Sequence, residues 1–273
     1  MKVAFWENVR QEGSKLNCMA AISIMLSINY CKRVILLDNS QESDSLESVF
    51  RGIRRFYYVR EDSNYIHHQH GMDQILKSLH TTANLHMTLK HSAVEVIQNY
   101  LYYVPQSKVI NHLAYEYELY QELTNIIEHY ENLSDFIFIR AKNGNNLSTK
   151  NVLNEADLVM VELTQDFDVL DEFFDNYSSI CHKAIFVFSQ YKSNSISIYH
   201  IMHKYHLQKE QVIVLSEHLP LYSACIFGNL VSYVKSNNNC GRDNENYRCV
   251  RELRRAARII LGQERGGVVE AAT

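Results

Sequence analysis

The chain has 273 residues, a formal net charge of −4, 46% apolar residues and only two prolines. That composition excludes a disordered chain. The acidic balance gives no bulk attraction to nucleic acid or to an anionic membrane, and leaves either task to local basic patches. The length suits one large α/β domain or two small ones.

In chain order, "KVAFW" (Lys2 to Trp6) predicts a short buried strand, and residues 16–30 predict a buried helix. Between them runs "ENVRQEGSKLN" (Glu7 to Asn17). Strand, loop and helix is the setting a phosphate-binding loop needs. Lys15 followed by "LNCMAAISIMLSI" imitates a signal peptide. The run begins well inside the chain, behind a strand, and falls short of the roughly 20 apolar residues that span a bilayer. No other segment is long and apolar enough to cross one.

Further apolar runs predict strands at Arg33–Asp38, Tyr100–Pro105, Asp135–Arg140, Asp157–Leu163, Lys183–Gln190 and Gln211–Glu217. Most are continuous rather than alternating, as parallel strands covered on both faces should be. Helical spacing marks 112–131, with helices also predicted at 167–178, 195–206 and 221–235. Residues 39–99 are less regular, with two or more helices and a surface excursion expected. The alternation predicts an α/β fold: a doubly wound, mostly parallel sheet flanked by helices on both faces. After Ser236, "NNNCGRDNEN" reads as a linker to a last helix near 246–262, and "GGVVEAAT" should fray.

The six cysteines are scattered and form no CxxC pair, which suits a reducing, cytoplasmic setting. In "IHHQH", His67 and His70 can meet on a helix, but no distant ligand pair completes a zinc set, and no metal site is expected. "RGIRRFYYVR" sets Arg51, Arg54, Arg55 and Arg60 around aromatics. A solvated basic face is the preferred reading, with contact to DNA or a phosphorylated partner as the alternative. The last helix carries Arg248, Arg251, Arg254, Arg255 and Arg258 beside Val250, Leu253, Ala257, Ile260 and Leu261. It can pack back on the domain, dock on a partner, or lie on a membrane surface. No nucleophile set is recognisable.

The order of elements resembles the ParA/MinD branch of P-loop NTPases, in particular the atypical TadZ/CpaE-like members with degenerate Walker motifs. The resemblance rests on "KVAFWENVRQEGSKLNCMAAISIMLSINYCKRVILLDNS", on "DFIFIRAKNGNN" at the Walker B strand, on "EADLVMVELTQD", and on "AIFVFSQY" where the base-reading strand lies. It spans Met1 to about Ser236. That divides the chain into an α/β domain over 1–236 and a polar linker with a basic helix over 237–273.

The family loop reads K-G-G-x-G-K-T-T. With Gly13 as its last glycine, Val9 replaces the signature lysine, Ser14 the phosphate lysine and Lys15 the magnesium-binding threonine. One residue of slide makes Lys15 the phosphate lysine and Leu16 the metal position. The nucleotide-binding positions the resemblance implies are therefore Gly13, Ser14, Lys15, Leu16 and Asn17. Asp38 falls where the family has a catalytic carboxylate. Arg140 takes the Walker B position, where it can contact a phosphate or pair with a carboxylate but cannot ligate magnesium. Phosphoryl transfer depends on positioning and charge neutralisation, and both are weakened here.

The resemblance thus implies weak ATP binding, doubtful magnesium binding, and a homodimeric localisation or scaffold subunit of a pilus or secretion assembly. Peripheral membrane contact would run through the last helix. A slow magnesium-dependent ATPase and a DNA-associated partition factor are the alternatives.

Overall fold

The computed structural model describes residues 1–7, 14–39, 45–51, 71–79, 85–106, 112–143, 146–193 and 195–270. At 14–15, 73, 85–88, 112–113 and 265–270 the backbone alone is described. The strands are β1 (Lys2–Trp6), β2 (Val34–Asp38), β3 (Val94–Ile97), β4 (Leu101–Val104), β5 (Phe136–Arg140), β6 (Leu158–Glu162), β7 (Ala184–Tyr191) and β8 (Val212–Ser216). They form one sheet in the order β3-β4-β2-β5-β1-β6-β7-β8. Every pair is parallel except β3 with β4.

The helices are α1 (Ser14–Tyr30), α2 (Leu46–Arg51), α3 (Met72–Leu79), α4 (Leu85–Ser92), α5 (His112–Glu131), α6 (Leu147–Glu155), α7 (Phe167–Asn176), α8 (Ile198–Lys204), α9 (Leu219–Ile226), α10 (Leu230–Asn237) and α11 (Tyr247–Glu270). They cover both faces of the sheet. α1, α2, α10 and α11 share one core with Val3, Phe5, Leu36, Phe138, Met160 and Val187. α3 to α8 share the other with Ala4, Trp6, Leu37, Ile139, Val161 and Phe186. Successive strand residues point to opposite faces. With both faces covered, the parallel strands are mostly continuous apolar runs.

The doubly wound α/β expectation holds, and the structure differs from the predicted elements in four places. The 39–99 stretch contains β3, an antiparallel edge strand whose register slips between Glu95 and Ile97. Its residues Val94, Glu95, Val96 and Ile97 are partly or fully exposed, so no buried run advertised it. The helix expected over 221–235 is two helices. Gly228, at φ 68°, takes the left-handed conformation that ends α9. Its N–H donates to Cys225 O, and Asn229 N–H donates to Ala224 O. α6 was not expected. Its N-cap, Asn146, accepts from Thr149 N, and Ser148, Thr149 and Val152 are buried.

The last helix runs beyond its expected end, through Gly266 and Gly267 to Glu270. It packs back on the domain: Cys249, Val250, Leu253, Ala256, Ala257 and Ile260 are all buried in the α1-side core. Each large apolar side chain there contributes roughly 1.5–3 kcal/mol of burial. Arg255 donates to Val212 O and Lys209 O, and Glu252 accepts from Ser216 N–H. α11 thereby satisfies backbone groups at both ends of the edge strand β8.

Candidate functional site

Ligands of doubly wound sheets bind beyond the carboxyl ends of the strands. On the α1 side that rim is polar. Stepping two residues past Leu36, Phe138, Phe5, Met160 and Val187 reaches Asp38, Arg140, Glu7, Glu162 and Ser189. These five line the rim of β2, β5, β1, β6 and β7, consecutive neighbours in the sheet, but in steps: Asp38 and Arg140 are level with Phe5, and Glu162 with Val187. Asp38, Arg140, Glu7 and Glu162 are each no more than 3% exposed.

Asp38 and Arg140 are register partners. Arg140 Nη1 donates to Asp38 Oδ2 at 3.3 Å, and both side chains are closed to solvent. Farther along the rim, Ser189 Oγ donates to Glu162 Oε1. Burial and the nearby Glu162 push the Cys18 thiol well up, so that cysteine stays protonated. Asn39, just past Asp38, donates through Nδ2 to Ser148 Oγ at 2.9 Å and ties this end of β2 to the start of α6.

Beyond Ser189 the rim opens into a cavity of about 320 Å³. Asn17 and Cys18 of α1, Ser189 and Gln190 of β7, Leu215 and Ser216 of β8 form much of its wall. Glu217, His218, Leu219, Leu221, Tyr222 and Leu253 of α11 complete it. Gln190 sits at φ 54°, and the register of β7 against β8 slips between Phe188 and Tyr191. A left-handed non-glycine residue at a strand irregularity is a strained arrangement of the kind found beside binding sites. Ser216 is held from behind, because Glu252 accepts from both its N–H (2.7 Å) and its Oγ (2.9 Å).

The site residues expected from sequence are distributed as follows. Gly13 lies outside the described residues, as do His67, His70, Arg54, Arg55 and Arg60. Ser14 and Lys15 open the first turn of α1. Leu16 is 1% exposed and packs in the α1-side core, so at that position only backbone can meet a ligand. Asn17 does line the cavity. Asp38 and Arg140 are brought together, and of the two roles open to Arg140 the carboxylate pairing is the one realised.

Sequence reasoning missed Glu7, Glu162, Ser189, Gln190 and His218. The first three were discoverable: each falls two residues after an inward apolar position of its strand. Gln190 and His218 carry no such signal, because a bulge and a helix start place them.

The loop over 8–13, to which the resemblance assigns a magnesium–triphosphate group, lies outside the described residues. Mg²⁺ demands oxygen ligands in near-octahedral geometry. Asp38, the carboxylate the resemblance singled out, is held by a guanidinium. Among the described residues no group of three His, Cys, Asp or Glu is placed to hold a metal ion. The cavity is of mixed character, with four leucines beside Asn17, Ser189, Gln190, Ser216, Glu217 and His218.

Of the arginines named on α11, Arg254 is half-buried and Arg248, Arg251, Arg255 and Arg258 are exposed, several of them still donating to the fold. Arg254 donates to Asn238 O, Arg255 to β8 carbonyls, and Arg258 to Tyr30 Oη. Arg248 pairs with Glu252 at 2.9 Å. All six cysteines are free. Among the described residues no helix is long and apolar enough to cross a membrane.

No protein-family model matches the chain, and no curated protein matches it. Solved structures do. A ParA family ATPase from Chlorobium tepidum TLS is similar at a TM-score of 0.70 and 12% identity, over 94% of this chain and 98% of that one. The MinC:MinD cell division protein complex of Aquifex aeolicus is similar at 0.63 and 14%, over 96% of each chain. A plasmid partition protein from Borrelia burgdorferi B31, bound to AMPPNP, is similar at 0.62 and 16%, over 96% of this chain and 98% of that one. At these identities the likeness establishes the fold, which is that of the ParA/MinD P-loop ATPases.

Proposed function

We propose that this chain is a localisation or scaffold subunit built on the ParA/MinD fold, of the TadZ-like type. It holds a nucleotide weakly and hydrolyses it little or not at all. The observation that carries this reading is the buried Arg140–Asp38 pair. It sets a guanidinium where phosphoryl transfer in this fold needs a metal-holding acid. The cavity supports retained binding of the base. AMPPNP in the Borrelia burgdorferi protein and the MinC partner of the Aquifex aeolicus protein support nucleotide and protein contacts by analogy.

The partners are a second copy of the chain, across the carboxyl-end face, and components of a pilus or secretion assembly in the cytoplasm. Exposed Leu219 (70%) and Phe227 (59%) at that face suit a protein contact. A DNA-associated role is the alternative: Arg248, Arg251, Arg255 and Arg258 are exposed on α11, although Arg254, Arg255 and Arg258 also donate within the fold.

The test is thermal shift with ATP, with and without Mg²⁺, beside a phosphate-release assay on the same preparation. A small nucleotide shift, indifferent to Mg²⁺ and without phosphate release, is expected. Phosphate release that Lys15→Ala abolishes would instead establish the slow magnesium-dependent ATPase, with Lys15 and Asp38 in its machinery.

A further inference from the structure

The two helical layers differ in charge. On one face of the sheet, α5 carries five glutamates and α7 four acidic residues, and neither has a lysine or arginine. On the other face, α11 carries six arginines against three glutamates. The exposed part of that difference is ordered. Arg248, Arg251, Arg255 and Arg258 are exposed and follow one another at intervals of three, four and three. At 3.6 residues per turn they fall on one stripe. Leu253, Ala256, Ala257 and Ile260, on the opposite side of the helix, are buried, so the stripe faces solvent. On α7, Asp168, Glu172 and Asp175 are exposed at intervals of four and three, with Leu170 and Phe173 buried behind them.

Neither stripe is neutralised within the fold. Of the four arginines only Arg248 has a carboxylate partner among the described residues, Glu252. Arg255 and Arg258 donate to backbone carbonyls and to Tyr30 Oη, not to carboxylates. A guanidinium has five N–H donors, so both keep donors and charge for a second partner. Asp168, Glu172 and Asp175 make no ion pair among the described residues; the α7 carboxylate that does is Asp171, with Lys204. The sheet lies between the two stripes, so α11 of one chain cannot reach α7 of the same chain.

We propose that the arginine stripe of α11 docks on the acidic stripe of α7 in a second copy of this chain. Such a contact is heterologous. Each copy offers both surfaces and uses each on a different neighbour, so association continues past two copies unless the rotation closes a ring. Charge complementarity of this kind fixes register and speeds encounter more than it adds affinity. Pairs in solvent are also screened by salt. The association is therefore weak, concentration-dependent and salt-sensitive. It stands apart from the carboxyl-end contact and needs no nucleotide.

Sedimentation velocity of the full unmodified chain, over a concentration series without nucleotide, tests this at roughly 50 and 500 mM salt. The weight-average mass should pass that of a dimer at low salt and fall back at high salt. Arg251→Glu with Arg258→Glu should weaken the association about tenfold, and Glu172→Lys with Asp175→Lys should do the same. Mixing the two altered chains should restore it, because the exchanged charges meet again. A merely structural role of either helix would not give that recovery. A mass independent of concentration at low salt, association indifferent to salt, or no recovery on mixing two folded variants overturns the proposal. The first two outcomes need no variant and decide even if an altered chain does not fold. Loss on the arginine changes with the α7 changes silent also overturns the pairing, and a salt-sensitive complex with duplex DNA would then give the stripe to nucleic acid.

Discussion

The carboxyl-end rim of the sheet has two halves. Over β2, β5, β1 and β6 the rim is shut: four charged side chains lie buried along it, and the guanidinium among them is locked to Asp38. Over β7 and β8 the same rim is open, with a 320 Å³ cavity walled by leucines and small polar groups. In this fold the first half would face the phosphates and the second the base. The contrast separates two tasks that an ATPase performs together. Holding a heterocycle needs a shaped apolar slot, and splitting a phosphoryl bond needs unpaired charge positioned in advance. On the proposed reading, the open half is the first kind of surface and the buried Arg140–Asp38 pair neutralises part of the second.

The largest effect that can test the contrast lies in the shut half. Removing one partner of a buried ion pair costs about 3–5 kcal/mol. Asp38→Ala and Arg140→Met should each lower stability by that order in denaturant titration. The pair of changes together should cost much less than their sum, because neither charge is left without the other. Strict additivity would show that Asp38 and Arg140 do not depend on each other, and the shut half would lose its explanation.

The two halves also differed in how legible they were. The shut half sits on regular strands, where a period of two converts sequence position into direction. Asp38 and Arg140 were visible as the charged ends of "RVILLD" and "DFIFIR", and Glu7 and Glu162 followed the same rule. What the pattern could not supply was the lateral order. Only the placement of β5 between β2 and β1 sets Arg140 beside Asp38. The open half depends on features without a local signature: the left-handed Gln190, the break at Gly228, and a terminal helix that returns across the whole domain. Read from composition that helix could pack back, dock on a partner or lie on a membrane, because an apolar stripe does not say which surface will cover it. The side chain of Leu16 packs in the core. Motif alignment assigns a position but says nothing of which way its side chain faces.

A smaller effect sharpens the open half. Glu252 holds Ser216 through two hydrogen bonds and also receives Arg248. Glu252→Gln keeps the shape but removes the charge, and hydrogen bonds to charged groups contribute about 1.5–3 kcal/mol each. Because the amide retains part of the bonding, a net loss of about 1–2 kcal/mol is expected. Adenosine affinity should fall with it, since Ser216 belongs to the wall. Asp38→Ala, in the other half, should leave adenosine affinity unchanged once the comparison is made below its melting range. If Glu252→Gln spares binding while Asp38→Ala abolishes it, the division into a base half and a phosphate half is wrong.

The smallest effect comes from an ion pair outside both halves and measures what burial adds. Asp171 on α7 meets Lys204 Nζ at 2.8 Å and Tyr205 Oη at 2.6 Å, in solvent. The hydrogen bonds from Lys204 and Tyr205 hold its carboxyl below the ordinary aspartate value of 3.8. A depressed folded-state pKa contributes stability that is present above the unfolded value, near 3.9, and lost as pH falls through the folded one. Exposed pairs are screened, so the contribution is small. Asp171→Asn should therefore leave the melting temperature at pH 7 nearly unchanged and make its fall below about pH 4 slightly shallower. The buried pair in the shut half has the same chemistry without the solvent. A neutral-pH loss from Asp171→Asn as large as that from Asp38→Ala would mean that burial, the property separating the shut rim from the rest of the surface, adds nothing to its charges.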